Sequence, residues 1–155
     1  MMNNPIAGFS GEHRFLSNFW PVPGGVVFGH MYGPTTEHVY QAAKTLNPSA
    51  RLRILSCETP GAAKRYGQEL ATIRPDWDSV KLGVMASLTK AKFSHPELAD
   101  LLAATGDAEI IEGNHWCDTF WGVCSCDTHE GAGQNWLGKI LMIERSQRLA
   151  AHHYV

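Results

Sequence analysis

The stretch Thr35-Thr36-Glu37-His38-Val39-Tyr40-Gln41-Ala42-Ala43-Lys44-Thr45-Leu46 decides the fold class, because it reads as a helix with two unlike faces. Pro34 and the two threonines supply a start signal: a threonine oxygen accepts one of the unpaired N–H groups of a first helical turn. Glu37 falls in that turn, where the helix dipole favours a carboxylate. At about 100° per residue, Val39, Ala42 and Leu46 line one side. Glu37, Gln41 and Lys44 line the opposite side, with Tyr40 at its edge. One face is expected to pack. The other offers an acid, an amide, an amine and a phenol in a row.

The chain on either side fits a mainly α (α+β) fold in a single compact domain, residues 5–150. Upstream, residues 5–34 are rich in Gly and Pro, and Val26-Val27-Phe28, Gly29-His30, Met31-Tyr32 reads as a small N-terminal hairpin. Downstream, a short helix is expected over 49–57. Thr59-Pro60 opens another, with threonine as cap and proline at the first helical position, ending near Leu70 or Ala71. Asp76 is read as the cap of the longest pattern. Trp77, Val80, Val84, Leu88 and Ala91 recur there at helical spacing, which assigns Trp77 to the core, and Phe93 closes it. Pro96 restarts a helix carrying Leu98, Leu101 and Leu102, stopped by Gly106. Residues 108–112 are a strand candidate, and 113–135 an irregular glycine-rich loop. A last helix from about Gln134 to about Leu149 buries Leu137, Ile140 and Leu141.

That loop is long for a compact domain, and such loops are functional more often than idle. It carries Asn114, His115, Trp116, Asp118, Phe120, Trp121 and Asn135, and aromatics on a loop need something to cover. A flat heterocycle is one choice and the core is the other. Gly131-Ala132-Gly133-Gln134-Asn135 leads into the last helix, so its glycines allow backbone to approach a ligand and the helix N-terminus is a candidate anion seat. Cys117, Cys124, Cys126 and His129 invite a zinc reading. However, one residue between Cys124 and Cys126 is an awkward tetrahedral bite and the set matches no common zinc spacing, so no metal is expected.

Composition narrows the classes further. Hydrophobic residues are 44% and charged residues 18%, a globular balance, and the net charge of −2 argues against a broad grip on a nucleic-acid backbone. No apolar run approaches the ~18 residues of a membrane span. Met1-Met2-Asn3-Asn4-Pro5 has neither a basic start nor an apolar core, so no signal peptide is expected. Four cysteines in a chain of this size are expected as reduced thiols in a cytoplasmic protein.

Several stretches, in order, resemble the NADAR (YbiA-like) N-glycosidases. They are Phe15-Leu16-Ser17-Asn18-Phe19, Pro34 to Lys44, Asp76-Trp77-Asp78 with Lys81 and Met85, Lys92-Phe93, and Leu102 with Thr105-Gly106-Asp107. Asp118-Thr119-Phe120-Trp121-Gly122, Gly133-Gln134-Asn135, and Leu137-Gly138-Lys139 with Leu141-Met142 and Arg145 complete the set. Cys124-Ser125-Cys126 and His115-Trp116-Cys117 depart from that pattern. The resemblance implies a predominantly helical fold and hydrolysis of a ribosyl N-glycosidic bond with no metal or cofactor. It implies a phosphorylated ribosylamino-pyrimidine substrate of the riboflavin-precursor type, or ADP-ribosyl-guanine, with nucleic acid entering only as a modified substrate and no membrane.

Cleaving a ribosyl C–N bond builds positive charge on the sugar and negative charge on the leaving group, which calls for a carboxylate and a proton donor. Glu37 is assigned the acid/base role and Asp118 the sugar hydroxyls or the charge. Lys44 is either a phosphate ligand or, if burial lowers its pKa, a Schiff-base nucleophile. Asn18, Phe19, Tyr40, Gln41, Trp121, Gly122, Gly133 and Asn135 are the expected substrate contacts. Two other classes compete: a module that binds ADP-ribose or a nucleotide without hydrolysis, and a zinc-bearing interaction domain.

Overall fold

Helix α1 (Thr36–Ala43) begins where the threonines put it. The Thr35 oxygen accepts the His38 N–H at 3.3 Å. The structure, a computed structural model, describes residues 3–153. Within them the fold is mainly α, with a small N-terminal hairpin and a long loop ahead of the last helix. The Cα positions group into two compact units. One is Asn18–His95; the other joins the N-terminal segment up to Ser17 to the chain from Pro96 on.

In the Asn18–His95 unit, the hairpin is β2 (Val26–Phe28) against β3 (Met31–Gly33), antiparallel, with Val27 opposite Tyr32. Four helices follow: α1, α2 (Pro48–Leu55), α3 (Pro60–Gln68) and α4 (Trp77–Lys92). Asn47 and Thr59 cap α2 and α3 by accepting the Ala50 and Ala62 N–H groups, each with proline in the first turn. Asp76 does not cap α4 with its side chain. Its carboxylate takes the Arg74 guanidinium instead, at 2.6 and 2.9 Å.

Helix α1 packs against α2, α3, α4 and the hairpin. All eight of its residues are therefore buried, those of the polar side included. Leu46, expected in the packed stripe, is 59% exposed. The helix ends at Ala43 with Lys44 as its cap, so Leu46 no longer follows the helical period. Polar groups on α1 are accommodated in pairs. His38 Nε2 lies 2.9 Å from the Cys57 carbonyl, an acceptor only, so Nε2 carries the proton and Nδ1 accepts from the Thr35 hydroxyl at 2.8 Å.

Lys92, the last residue of α4, is 2% exposed, and burial pushes its amine down to about 7. Below pH 7 both folded and unfolded chains hold the proton, and the fold carries the full desolvation penalty. Between about pH 7 and about pH 10.5 only the unfolded chain holds it, so stability rises with pH by up to ~1.4 kcal/mol per unit. Denaturant unfolding across that window is expected to show this rise, and Lys92→Met is expected to remove it. Equal pH slopes in the two proteins would contradict the burial of this amine.

In the other unit, β1 (Ile6–Ala7) pairs in parallel with β4 (Ile110–Ile111), and a 3-10 helix runs over Gly11–Leu16. Neither β1 nor that helix was expected in the Gly/Pro-rich start. Helix α5 (Pro96–Ala104) ends before Gly106 at φ 64°, and α6 (Trp136–His152) packs on β4. The expected irregular loop holds a parallel pair, β5 (Gly113–Asn114) with β6 (Val123–Cys124). Arg145 of α6 donates to Thr105 Oγ1 at 2.8 Å and the Ala108 carbonyl at 2.9 Å, tying α6 to the turn after α5.

Candidate functional site

In the Asn18–His95 unit, hydrogen bonds join Asn18, Glu37, Gln41 and Lys44 around α1, and a ring contact adds Tyr40. The Asn18 carbonyl accepts the Glu37 N–H at 3.0 Å, holding the start of the helix against the segment that carries Phe19. Gln41 Nε2 donates to Glu37 Oε1 at 2.6 Å, one helical turn away. Glu37 and Gln41 are 6% and 3% exposed, so this acid lies in a buried, polar-lined setting. The Gln41 carbonyl oxygen has no donor among the described residues. A side chain at Gly67 of α3 would collide with that same amide, so the missing Cβ is what lets α3 close over Gln41.

Lys44 follows at the C-terminal end of α1. Its Nζ sits 5.3 Å from the centre of the Tyr40 ring, which is itself tilted onto Trp77 at 5.2 Å. The Lys44 carbonyl accepts the Arg74 N–H at 2.7 Å, which fixes the backbone there. Burial pushes the Lys44 amine down. Glu37 opposes that shift, and the charges of Lys64 and Lys81 add to it. Lys64 Nζ stands 5.9 Å from the ring centre of Phe19, which is 40% exposed. Lys64 and Lys81 were not singled out as site residues. They come from α3 and α4, so no periodicity links them to Lys44.

In the other unit, the Asp118 Oδ1 accepts the N–H of Phe120 at 3.1 Å and of Trp121 at 2.8 Å. The carboxylate thus orders the turn that bears the two aromatics, whose rings meet edge-on at 4.8 Å. Gly122 and Gly133 are needed for internal packing: a Cβ at Gly122 would meet the Glu112 carbonyl, and one at Gly133 the Gly122 carbonyl. Asn135, at φ 53°, accepts the Glu112 N–H and donates to the Ile110 carbonyl, both at 2.9 Å.

The N–H groups of Gln134, Asn135, Trp136 and Leu137 donate to the carbonyls of Thr119, Gly122, Phe120 and Trp121. The expected anion seat at the start of α6 is therefore spent on the loop itself. Two halves of the expected residue set, Asn18 to Lys44 and Asp118 to Asn135, are each tied together locally.

Folding brings together the four residues whose linear spacing matches no common zinc pattern. The ligand atoms of Cys117, Cys124, Cys126 and His129 all lie within 4.8 Å of one another. The parallel β5–β6 pair and the Cys124–Ala132 bridge fold the chain back on itself, which linear spacing does not report. Cys126 is pushed down to about 6, chiefly by the Cys124 side chain and then by the His129 amide. Cys117 is pushed up, chiefly by its hydrogen bond with Cys126.

Comparison with known proteins agrees with this architecture. The NADAR domain model matches residues 8–148. N-glycosidase YbiA of Escherichia coli is 37% identical over 154 residues, covering 95% of this chain and 91% of that protein. A riboflavin biosynthesis protein of Vibrio vulnificus is 34% identical over 151 residues; this chain spans 39% of its length. The NMR structure of Escherichia coli YbiA matches with a TM-score of 0.78 and 34% identity, over 99% of this chain and 90% of that one. The chain belongs to the NADAR family.

Proposed function

We propose that this protein is an N-glycosidase that hydrolyses the bond between a phosphorylated ribose and an amino-pyrimidine, without a catalytic metal. The enzyme class is supported by family membership and by the near full-length likeness to an N-glycosidase. The pyrimidine substrate is supported by the relative that works in riboflavin synthesis.

The observation that carries the reading is the α1 face: a buried carboxylate held by Gln41, followed by an amine whose pKa is lowered beside two further lysines. That arrangement suits a sugar with an electrophilic C1 and an anionic phosphate. In the sequence of steps we favour, the ribosylamine opens to an imine and the neutral Lys44 amine adds to C1. The amino-pyrimidine leaves with a proton from Glu37. Water then adds to the lysine imine, releasing ribose 5-phosphate and restoring both groups. Phe19, in the same unit as Glu37 and Lys44, is assigned to the base. Among the described residues no helix is long and apolar enough to cross a membrane, and a cytoplasmic site of action is proposed.

ADP-ribosyl-guanine is the second substrate reading, and binding without hydrolysis the third. Three substrates assayed side by side decide among them: a ribosylamino-pyrimidine 5-phosphate, ADP-ribosyl-guanosine and NAD. Fastest release of free base from the first is expected. Preference for ADP-ribosyl-guanosine by kcat/KM would replace the reading with the second, and binding with no release would replace it with the third.

A further inference from the structure

The loop 115–134 is held by its own hydrogen bonds and hardly at all by a core. Only Gly122 and Cys124 among its residues are buried, yet Cys117 and Glu130 sit at positive φ, 70° and 48°. Such backbone strain in a segment with almost no core needs a compensating tie. The thiols of Cys117, Cys124 and Cys126 and the imidazole of His129 converge in this segment.

We propose that Cys117, Cys124, Cys126 and His129 bind one structural zinc ion. Zinc–sulfur bonds of about 2.3 Å and a zinc–nitrogen bond of about 2.0 Å give tetrahedral edges of about 3.8 Å and about 3.5 Å. Cys117 Sγ and Cys126 Sγ are 3.8 Å apart, and Cys126 Sγ is 3.1 Å from His129 Nδ1. The Cys124 sulfur accepts the N–H groups of Cys117 at 3.3 Å and Cys126 at 3.5 Å, the kind of amide support that stabilises a coordinated thiolate. His129 is aimed by a turn in which its own N–H and that of Glu130 donate to the Cys126 carbonyl at 3.1 and 2.8 Å.

Three cysteines and one histidine form a closed set, so this ion has no open position for substrate or water and takes no part in bond cleavage. Its effect is mechanical. Cys117 immediately precedes Asp118, and Cys124 lies two residues after Gly122. The ion therefore cross-links both ends of the turn that carries Asp118, Phe120 and Trp121. This inference stands apart from the proposed reaction, because it concerns what holds the loop and is read by metal content.

The test uses the full chain expressed with zinc in the medium. Metal analysis is expected to find one zinc per chain, and the single variants Cys117→Ser, Cys126→Ser and His129→Ala are each expected to lose most of it. Cys117 is exposed, so its variant does not depend on repacking a core. Metal-free protein loaded with cobalt is expected to show thiolate-to-cobalt charge-transfer bands and the intense visible bands of tetrahedral cobalt. Removing zinc is expected to lower the melting temperature by ~5 °C or more. Zinc retained in all three variants would mean that it is held elsewhere, and would overturn the assignment. Wild-type protein that holds no zinc and, after reduction, gives no thiolate–cobalt spectrum would also overturn it; a Cys117–Cys126 disulfide in such protein would make the cluster a redox pair instead.

Discussion

Borohydride added during turnover is expected to leave a ribose phosphate fixed to Lys44 through a reduced secondary amine. A lysine imine has a C=N bond that hydride reduces, and the reduced bond no longer hydrolyses. Lys44 suits this step because burial, Lys64 and Lys81 all push its amine toward the neutral form, against the opposing pull of Glu37. In the proposed route a neutral amine attacks, so the rising limb of the pH–kcat profile is expected to lie below the ordinary lysine value of 10.5. Lys44→Arg is expected to abolish turnover, since a guanidinium keeps the charge and cannot form the imine. The competing role, a phosphate ligand, gives a different pattern: no adduct, and a Lys44→Arg enzyme whose main defect is a higher KM. Intact-mass analysis of an active sample after borohydride, with no sugar-sized increment, would exclude the covalent route.

Glu37→Gln is expected to lower kcat by ~10²–10⁴ with little change in melting temperature. The amide keeps an oxygen for the Gln41 N–H, which now reaches Glu37 Oε1 at 2.6 Å, so the local packing survives. What is lost is the ionisable group that, in the proposed reaction, gives a proton to the departing amine. Glu37 is 6% exposed, and its charge therefore acts in a poorly screened setting where transition-state charge is worth more than in water. An unchanged kcat would move the acid/base role to another carboxylate, and Asp118 is the first to test.

Much of this architecture could be read from short-range chemistry. Thr35 and Thr59 cap the helices that follow them, and Val26–Phe28 and Met31–Gly33 form the expected hairpin, because these signals are local. What could not be read is non-local. β1 is two residues long, and its partner β4 lies at Ile110–Ile111, so no pattern within the first residues announces it. The burial of the polar face of α1 could not be read, because periodicity reports polarity and not what covers it. Glu37 is met by Gln41 on the same helix, and His38 by a carbonyl from beyond α2, so polarity and burial coexist. The cysteine–histidine cluster looked badly spaced for the same kind of reason: its geometry comes from the β5–β6 pairing and the turn after Cys126, not from intervals along the chain. The glycines before α6 and the start of that helix suggested an anion seat. The loop's own carbonyls take those N–H groups, a competition that composition does not reveal.

The central claim is that this protein breaks a ribosyl C–N bond. The most direct measurement follows a ribosylamino-pyrimidine 5-phosphate by chromatography and mass spectrometry over many equivalents per enzyme, with Glu37→Gln as the matched control. The expected result is free ribose 5-phosphate and free amino-pyrimidine in equal amounts, growing linearly with wild-type enzyme and at least ~10²-fold more slowly with the variant. Intact substrate after prolonged incubation with folded wild-type protein, together with intact ADP-ribosyl-guanosine in the parallel reaction, would contradict the claim.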